Sequence, residues 1–499
     1  MTKKNCITTA GKVILFFAVF AIIFKLVFSI IWYNDSEQSS TVFKQFYELP
    51  QNSVDAIYIG ASSVKYYWVA SAAFHNYGIA VYPLATGGQP FSASQYLIEE
   101  AEKTQDPMLY IVDIRMLAST EAPLDAEIRR VCDGMKNSAN RIAAINHMTE
   151  FGARDIDESE FNRWDYYLSF QKYHSRWKSL NSQDFGDRTN FSMGFVPLDY
   201  VTPFSPPSEE LIDTPNIGLS DISKKWLEDF LEYCDRNEGL NVLFINSPHM
   251  MSEIVWGTLN EAKSIIEERG YKVLDVNEYL DETELDYQFD MREANHVNPY
   301  GALKYTDYLS KYLLDNYHMT DHRGDENYDI WEQSYSDFEN YLVNNTVNLY
   351  NYFNGINKKR YTILLSVKDE ASVNFTETMY KQMAKLGLQC DLRGKVQQAY
   401  IAVIEQGEVV YEALAPDKTT QLSYNYTLHN GLECKITSGG LYSGNLSSIL
   451  IGEDECSMNQ RGLNFVIYDN VTQSVVDQVC FDTWDYPNCE GNYPYFRAN

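Results

Sequence analysis

The chain has 499 residues, 45% of them apolar, and a formal net charge of −29. That length holds a membrane segment plus two or three domains, and the apolar share excludes an intrinsically disordered chain. The acidic balance excludes nucleic acid, or an anionic surface, as a partner held by bulk electrostatics; a charged substrate polymer would need a local pocket.

Lys3, Lys4 and Lys12 precede an almost wholly apolar run from Val13 to Trp32, and Asp35 and Glu37 follow it. The run is long enough to cross a bilayer as a helix. Lysines before it and acids after it place the N-terminus in the cytoplasm and the bulk of the chain outside. No small-x-small cleavage pattern follows, so the segment reads as a retained single-pass anchor in the cell membrane. Lys25 interrupts the run and either snorkels or faces a partner helix.

Residues 36–52 read as a short polar lead-in with scattered aromatics. Ala56 to Ile59 then reads as a buried strand stopped by Gly60, leading into Ala61-Ser62-Ser63. A small residue and a serine at such a strand end put a hydroxyl at the carboxyl edge of a sheet, where open α/β folds bind ligands. The same pattern is also that of a turn serine capping a helix.

Strands are expected at Ile79–Leu84, Met108–Ile114, Leu240–Asn246 and Tyr271–Val276. Helices are expected at Ala93–Lys103, Leu219–Arg236, Ile254–Arg269 and Pro299–Tyr317. The alternation predicts a mostly parallel sheet with helices on both faces, over about residues 35–325. Within it, residues 121–215 are richer in charge and aromatics and read as a partly helical insertion able to cover a site. Residues 326–358 read as a connecting helix, and 359–499 as a β-rich domain of short strands at 361–367, 399–405, 408–414, 446–451, 463–468 and 475–481.

Eight cysteines contain no Cys-x-x-Cys pair, which argues against a zinc site. Cys390, Cys434, Cys456, Cys480 and Cys489 gather near the C-terminus, and in an exported domain some are disulfide candidates whose connectivity the sequence does not give. No metal or cofactor is expected.

A nucleophilic serine needs a base and a group that fixes the base's tautomer. Of eight histidines, His296 lies just ahead of the helix expected at Pro299, with Glu293 three residues before it. That spacing lets the carboxylate orient the imidazole; a structural or solvent-exposed histidine is the other reading.

Gly60-Ala61-Ser62, Gly87-Gly88-Gln89 and Glu293-x-x-His296, taken together, resemble the blocks of the SGNH hydrolase superfamily, over about residues 53–318. An anchor followed by Ile-Gly-x-Ser-Ser, Ala-Thr-Gly-Gly-Gln and His-x-Asn-x-x-Gly-Ala-x-Lys-Tyr-Thr is similar to the anchored SGNH-like proteins of Gram-positive bacteria. These are related to DltD, the D-alanyl transfer protein of teichoic-acid modification, and more distantly to alginate acetylation proteins. The resemblance implies an SGNH-type, flavodoxin-like sheet and a serine site. In it Ser62 is the nucleophile, His296 the base and Glu293 the orienting acid, standing where the family has aspartate; Asp290 is the alternative acid. Gly88, the Ser62 backbone and Gln89 would form the oxyanion hole. The family's third-block asparagine has no clear match; Gln89 and Asn246 are the stand-ins, and Ser63 is the alternative nucleophile. Residues 436–449, 460–469 and 479–483 are similar to the interleukin-like EMT inducer (ILEI) domain, which implies a compact β-sandwich that either binds carbohydrate or serves as a spacer.

The resemblance implies an extracellular acyltransferase, or its accessory subunit, passing an O-acetyl or D-alanyl type group through acyl-Ser62 to a cell-wall or capsule glycopolymer. A membrane-bound O-acyltransferase would be its partner. The alternatives are an esterase or deacetylase using water, and a non-catalytic anchored glycan-binding scaffold.

Overall fold

The computed structural model describes residues 3–31, 39–181, 184–185, 193–208, 211 and 214–498, with residues 3–10 and 39–40 as backbone only. Trp32, Asp35 and Glu37, and the side chains of Lys3, Lys4 and Cys6, lie outside the described residues, as do parts of the expected insertion. The chain divides into two compact units. One holds residues 1–196, 207–283 and 306–332; the other holds 197–206, 284–305 and 333–499.

The first unit begins with the helix Lys3–Ile31. Its run Gly11–Ile31 is long and apolar enough to cross a membrane, a property that anchors and signal sequences share. The helix Ser39–Glu48 follows. This corrects the expected polar lead-in: Val42, Phe43, Phe46 and Leu49 fall at helical spacing and are all buried. The Tyr82 hydroxyl donates to the Val42 carbonyl at 2.7 Å, tying this helix to the sheet.

The sheet has five parallel strands: β1 (Ala56–Gly60), β2 (Val81–Ala85), β3 (Leu109–Asp113), β4 (Val242–Asn246) and β5 (Lys272–Asp275). They stand in the order β2-β1-β3-β4-β5. Every residue of β1 to β4 is buried, as expected of near-continuous apolar runs covered on both faces. The flanking helices Asp221–Arg236 and Glu253–Glu268 begin at serine caps: Ser220 accepts from the Ser223 N–H and Ser252 from the Val255 N–H. The strand order reverses direction between β1 and β3, which makes the carboxyl ends of those two strands the crevice of the sheet.

The second unit contains a short hairpin, β6 (Met291–Glu293) and β7 (His296–Val297). It also holds one ten-stranded mixed sheet. Its strands are β8 (Tyr361–Asp369), β9 (Tyr400–Glu405), β10 (Glu408–Leu414), β11 (Leu422–Thr427), β12 (Glu433–Gly440), β13 (Leu446–Ile451), β14 (Asp454–Glu455), β15 (Gly462–Asp469), β16 (Ser474–Phe481) and β17 (Tyr495–Arg497). The expected pair of stacked sheets is instead one connected sheet that forks at β8. Thr362 to Ser366 pair with β9, while Lys368 and Asp369 pair with β12. The fork curves the sheet into a half-barrel with an apolar cluster on each face of β8. Ile363, Leu365 and Val367 join one cluster with Tyr352, Phe353, Met379 and Met383; Leu364 joins the other with Val403, Ile436 and Ile449. The alternation is that of a strand covered on both sides. The expected single connecting helix is two, Asp329–Asn345 and Leu349–Ile356, because Asn348 caps the second by accepting from the Asn351 N–H. The described cysteines are unbridged.

Candidate functional site

In the first unit, Ser62 lies two residues past the end of β1, after Ala61, and opens the short helix Ser62–Lys65. Gly60 is glycine for want of room: an added Cβ would stand 2.5 Å from a methyl of Val64 and 2.7 Å from the Cβ of Asp113. The two serines part company here. Ser62 is partly exposed, whereas Ser63 is fully buried and its hydroxyl meets no hydrogen-bond partner among the described residues. Only the first can meet a substrate without unfolding its surroundings.

The turn after β2 carries Gly88 with φ +64°, in the left-handed region that glycine tolerates. The helix Asp125–Cys132 of the insertion lies against this turn. Arg130 donates to the Gly87 carbonyl at 2.8 Å, and the Glu127 carboxylate sits 2.6 Å from where a Gly88 Cβ would be. Burial pushes the Glu127 carboxyl up, against the pull of the Leu124 N–H and of Arg154 and Arg130. Gln89 is buried; its Oε1 accepts from the Thr86 hydroxyl at 3.3 Å, and its amide nitrogen finds no acceptor among the described residues. A buried amide donor left without an acceptor is what an oxyanion site requires.

Asn246, the other stand-in, gives its amide to both oxygens of Asp275 at 3.2 Å. Burial holds the Asp275 carboxyl above its ordinary value, offset by hydrogen bonds from Asn277 and Asn246.

A buried polar chain that residue types alone do not reveal links β1, β3 and the segment after β4. The Tyr58 hydroxyl lies 3.1 Å from the Ser247 hydroxyl, which donates to Asp113 at 2.8 Å. Asp113 also accepts from the Arg115 N–H, and the Arg115 guanidinium donates to the Pro248 carbonyl. The available signal was Asp-x-Arg directly after an apolar strand.

In the second unit, Glu293 and His296 stand opposite each other in the β6–β7 hairpin, joined by a two-residue turn. The His296 Nδ1 lies 2.6 Å from the Glu293 carboxylate. Asp290 is committed elsewhere: it is buried, pairs with Lys304 at 2.6 Å and accepts from the Asp286 N–H at 2.7 Å. Of the two acids the sequence leaves open, Glu293 is the one at the imidazole. A carboxylate beside Nδ1 favours the neutral tautomer that carries its proton there and its lone pair on Nε2.

Neither models of known protein families nor curated proteins match the chain.

A second cluster lies in the first unit. His147, Glu150 and Asp229 hold their ligand atoms within 4.8 Å of one another. Lys225 already supplies the positive charge there, 2.7 Å from Asp229 and 3.8 Å from Glu150.

Proposed function

We propose that the protein is an exported, single-pass membrane-anchored serine acyltransferase of SGNH type, working on a cell-envelope glycopolymer. In this reading Ser62 Oγ attacks the carbonyl carbon of an acyl donor, its proton passes to His296 Nε2, and that proton leaves with the donor's departing group. A glycan hydroxyl then attacks the acyl-Ser62 ester; its proton passes through His296 back to Ser62 Oγ as the acyl group leaves. Glu293 accepts from the other imidazole nitrogen throughout. The donor comes from a membrane-bound O-acyltransferase, a role that gives Lys25 and the anchor a partner within the bilayer.

The observation that carries the reading is the Glu293–His296 contact, an imidazole with its tautomer fixed by a carboxylate. The accessible Ser62 beside a buried Ser63, and the Gln89 amide nitrogen without an acceptor among the described residues, support it from the other unit. A non-catalytic scaffold has one observation in its favour, the surrender of the Asn246 amide to Asp275.

The deciding experiment is labelling of the full chain with a fluorophosphonate probe. Labelling that vanishes in Ser62→Ala and in His296→Ala, but persists in Ser63→Ala, supports the serine site. Labelling unchanged in Ser62→Ala removes it. Release of an acyl group to a glycan hydroxyl, measured against release to water, separates transfer from hydrolysis.

A further inference from the structure

The described residues between Trp164 and Phe185 expose five large apolar side chains: Trp164, Leu168, Phe170, Trp177 and Phe185. The same stretch packs against the membrane-length helix. The Phe170 ring lies 5.2 Å from that of Phe24 and 5.6 Å from that of Phe28. Arg176 donates to the Ile31 carbonyl at 3.2 Å, at the helix's end, and its guanidinium also holds Asp184. Trp177 and Phe185 are therefore each one residue from a group fixed at that end.

Helix geometry turns these contacts into a depth. At about 1.5 Å per residue, Phe28 and Phe24 lie roughly 5 and 10 Å inside the Ile31 end. The apolar run has 21 residues, which at that rise is about 30 Å, the thickness of the hydrocarbon core and no more. The helix cannot be raised out of the bilayer by the depth of Phe170 and still span it. Phe170 is also held in place from below. Ser169 and Tyr173 on either side of it donate to buried Asp133, and Arg141 donates to the Ser169 hydroxyl. The segment is fastened to the body while these large apolar side chains are left exposed.

We propose that residues 164–181, with 184 and 185, form a second membrane contact, an amphipathic segment seated in the outer leaflet beside the helix. Large aromatic side chains at the headgroup level suit that position. Residues 164–185 contain three basic and two acidic side chains, a slight positive excess within a protein of net charge −29. Lys172 is paired with Asp125 and Arg176 with Asp184, so the segment meets the lipid chiefly through its large apolar side chains. It would fix the height and tilt of the first unit above the bilayer, where the helix alone leaves rotation free.

The inference rests on the anchor reading, and the experiment separates the two. The full chain is reconstituted in nanodiscs containing anionic lipid, with a dansyl-bearing amino acid introduced at Phe16, at Leu168 or at Trp177. Phe16 reports the helix; the other two report the segment. The expected result is emission from Phe16 lost to lipids with a nitroxide deep in the acyl chain. Emission from Leu168 and Trp177 is then shifted to the blue and lost to lipids with a shallow nitroxide. If Phe16 is quenched while both segment labels emit as in water and yield to iodide, the anchor stands and this proposal falls. If the segment labels are shifted to the blue but escape every lipid quencher, a protein neighbour or a second copy covers the face, and the proposal also falls. If Phe16 escapes the deep quencher, the anchor reading fails and takes the proposal with it. The two segment positions guard against one label disturbing local packing.

Discussion

The His296 imidazole and the Glu293 carboxylate face each other across a two-residue hairpin turn, 2.6 Å apart. If that contact sets the tautomer of a catalytic base, Glu293→Gln should lose about 10²–10⁴-fold in the rate of acyl-enzyme formation. Glu293→Asp should lose less, because the charge is kept and only its reach is shortened. Asp290→Asn should act on stability instead, by breaking the pair with Lys304. The check is the rate of fluorophosphonate labelling beside a thermal melt for each variant. A Glu293→Gln protein that labels at the parent rate would reduce the contact to a hairpin brace.

The contrast between Ser62 and Ser63 gives a prediction about stability. The Ser63 hydroxyl is buried without a partner among the described residues. Removing a buried polar group that makes no hydrogen bond relieves its desolvation cost. Ser63→Ala should therefore leave stability unchanged or raise it by about 1 kcal/mol, measured by urea unfolding. A marked loss would mean that the hydroxyl has an acceptor after all.

The sheet of the first unit could be read from the sequence because buried parallel strands are apolar throughout; Ala56–Ile59, bounded by Gly60, needs no tertiary information. The helix Ser39–Glu48 was hidden by its polar residues, although Val42, Phe43, Phe46 and Leu49 carry a helical period. Leu422–Thr427 escaped notice for a related reason. Its Ser, Asn and Thr face outward and disguise the half-buried Leu422, Tyr424 and Tyr426 as loop. The fork at β8 depends on Gly439 meeting Lys368, a pairing across more than seventy residues that no local pattern encodes. At the site, residue types nominated two serines and two acids. Burial separated the serines, and Lys304, fourteen residues beyond Asp290, separated the acids.

Gly88 allows the glycine requirement to be divided into its parts. Alanine there meets a left-handed backbone, at a cost of about 1–2 kcal/mol, and the Glu127 carboxylate besides. Combining Gly88→Ala with Glu127→Ala removes the collision but not the backbone strain. The double variant should be less destabilised than the sum of the two single variants. Strict additivity in denaturant unfolding would show that Glu127 simply swings aside.

A pH prediction follows from Asp469 in the second unit. This fully buried carboxylate forms a two-pronged pair with Arg360, at 3.0 and 2.6 Å, and also accepts from the Val471 N–H and the Thr472 hydroxyl. Burial pushes its proton affinity up, but the hydrogen bonds and the Arg360 charge outweigh burial and hold the carboxyl below its ordinary value. A carboxylate so lowered binds fewer protons folded than unfolded. Its stabilisation is complete above the unfolded value, about 4, and is lost as the pH falls through the folded one. Asp469→Asn should destabilise the protein by about 3 kcal/mol near neutral pH, by leaving a mostly buried guanidinium short of its partner. The penalty should shrink as the pH drops below about 4, where the parent loses the same interaction. Unfolding followed by tryptophan fluorescence from neutral pH down to about 3 gives both limbs. A penalty that stays constant across that range would mean that Asp469 keeps its charge to lower pH than the pair with Arg360 requires, or that the pair contributes nothing to the acid transition.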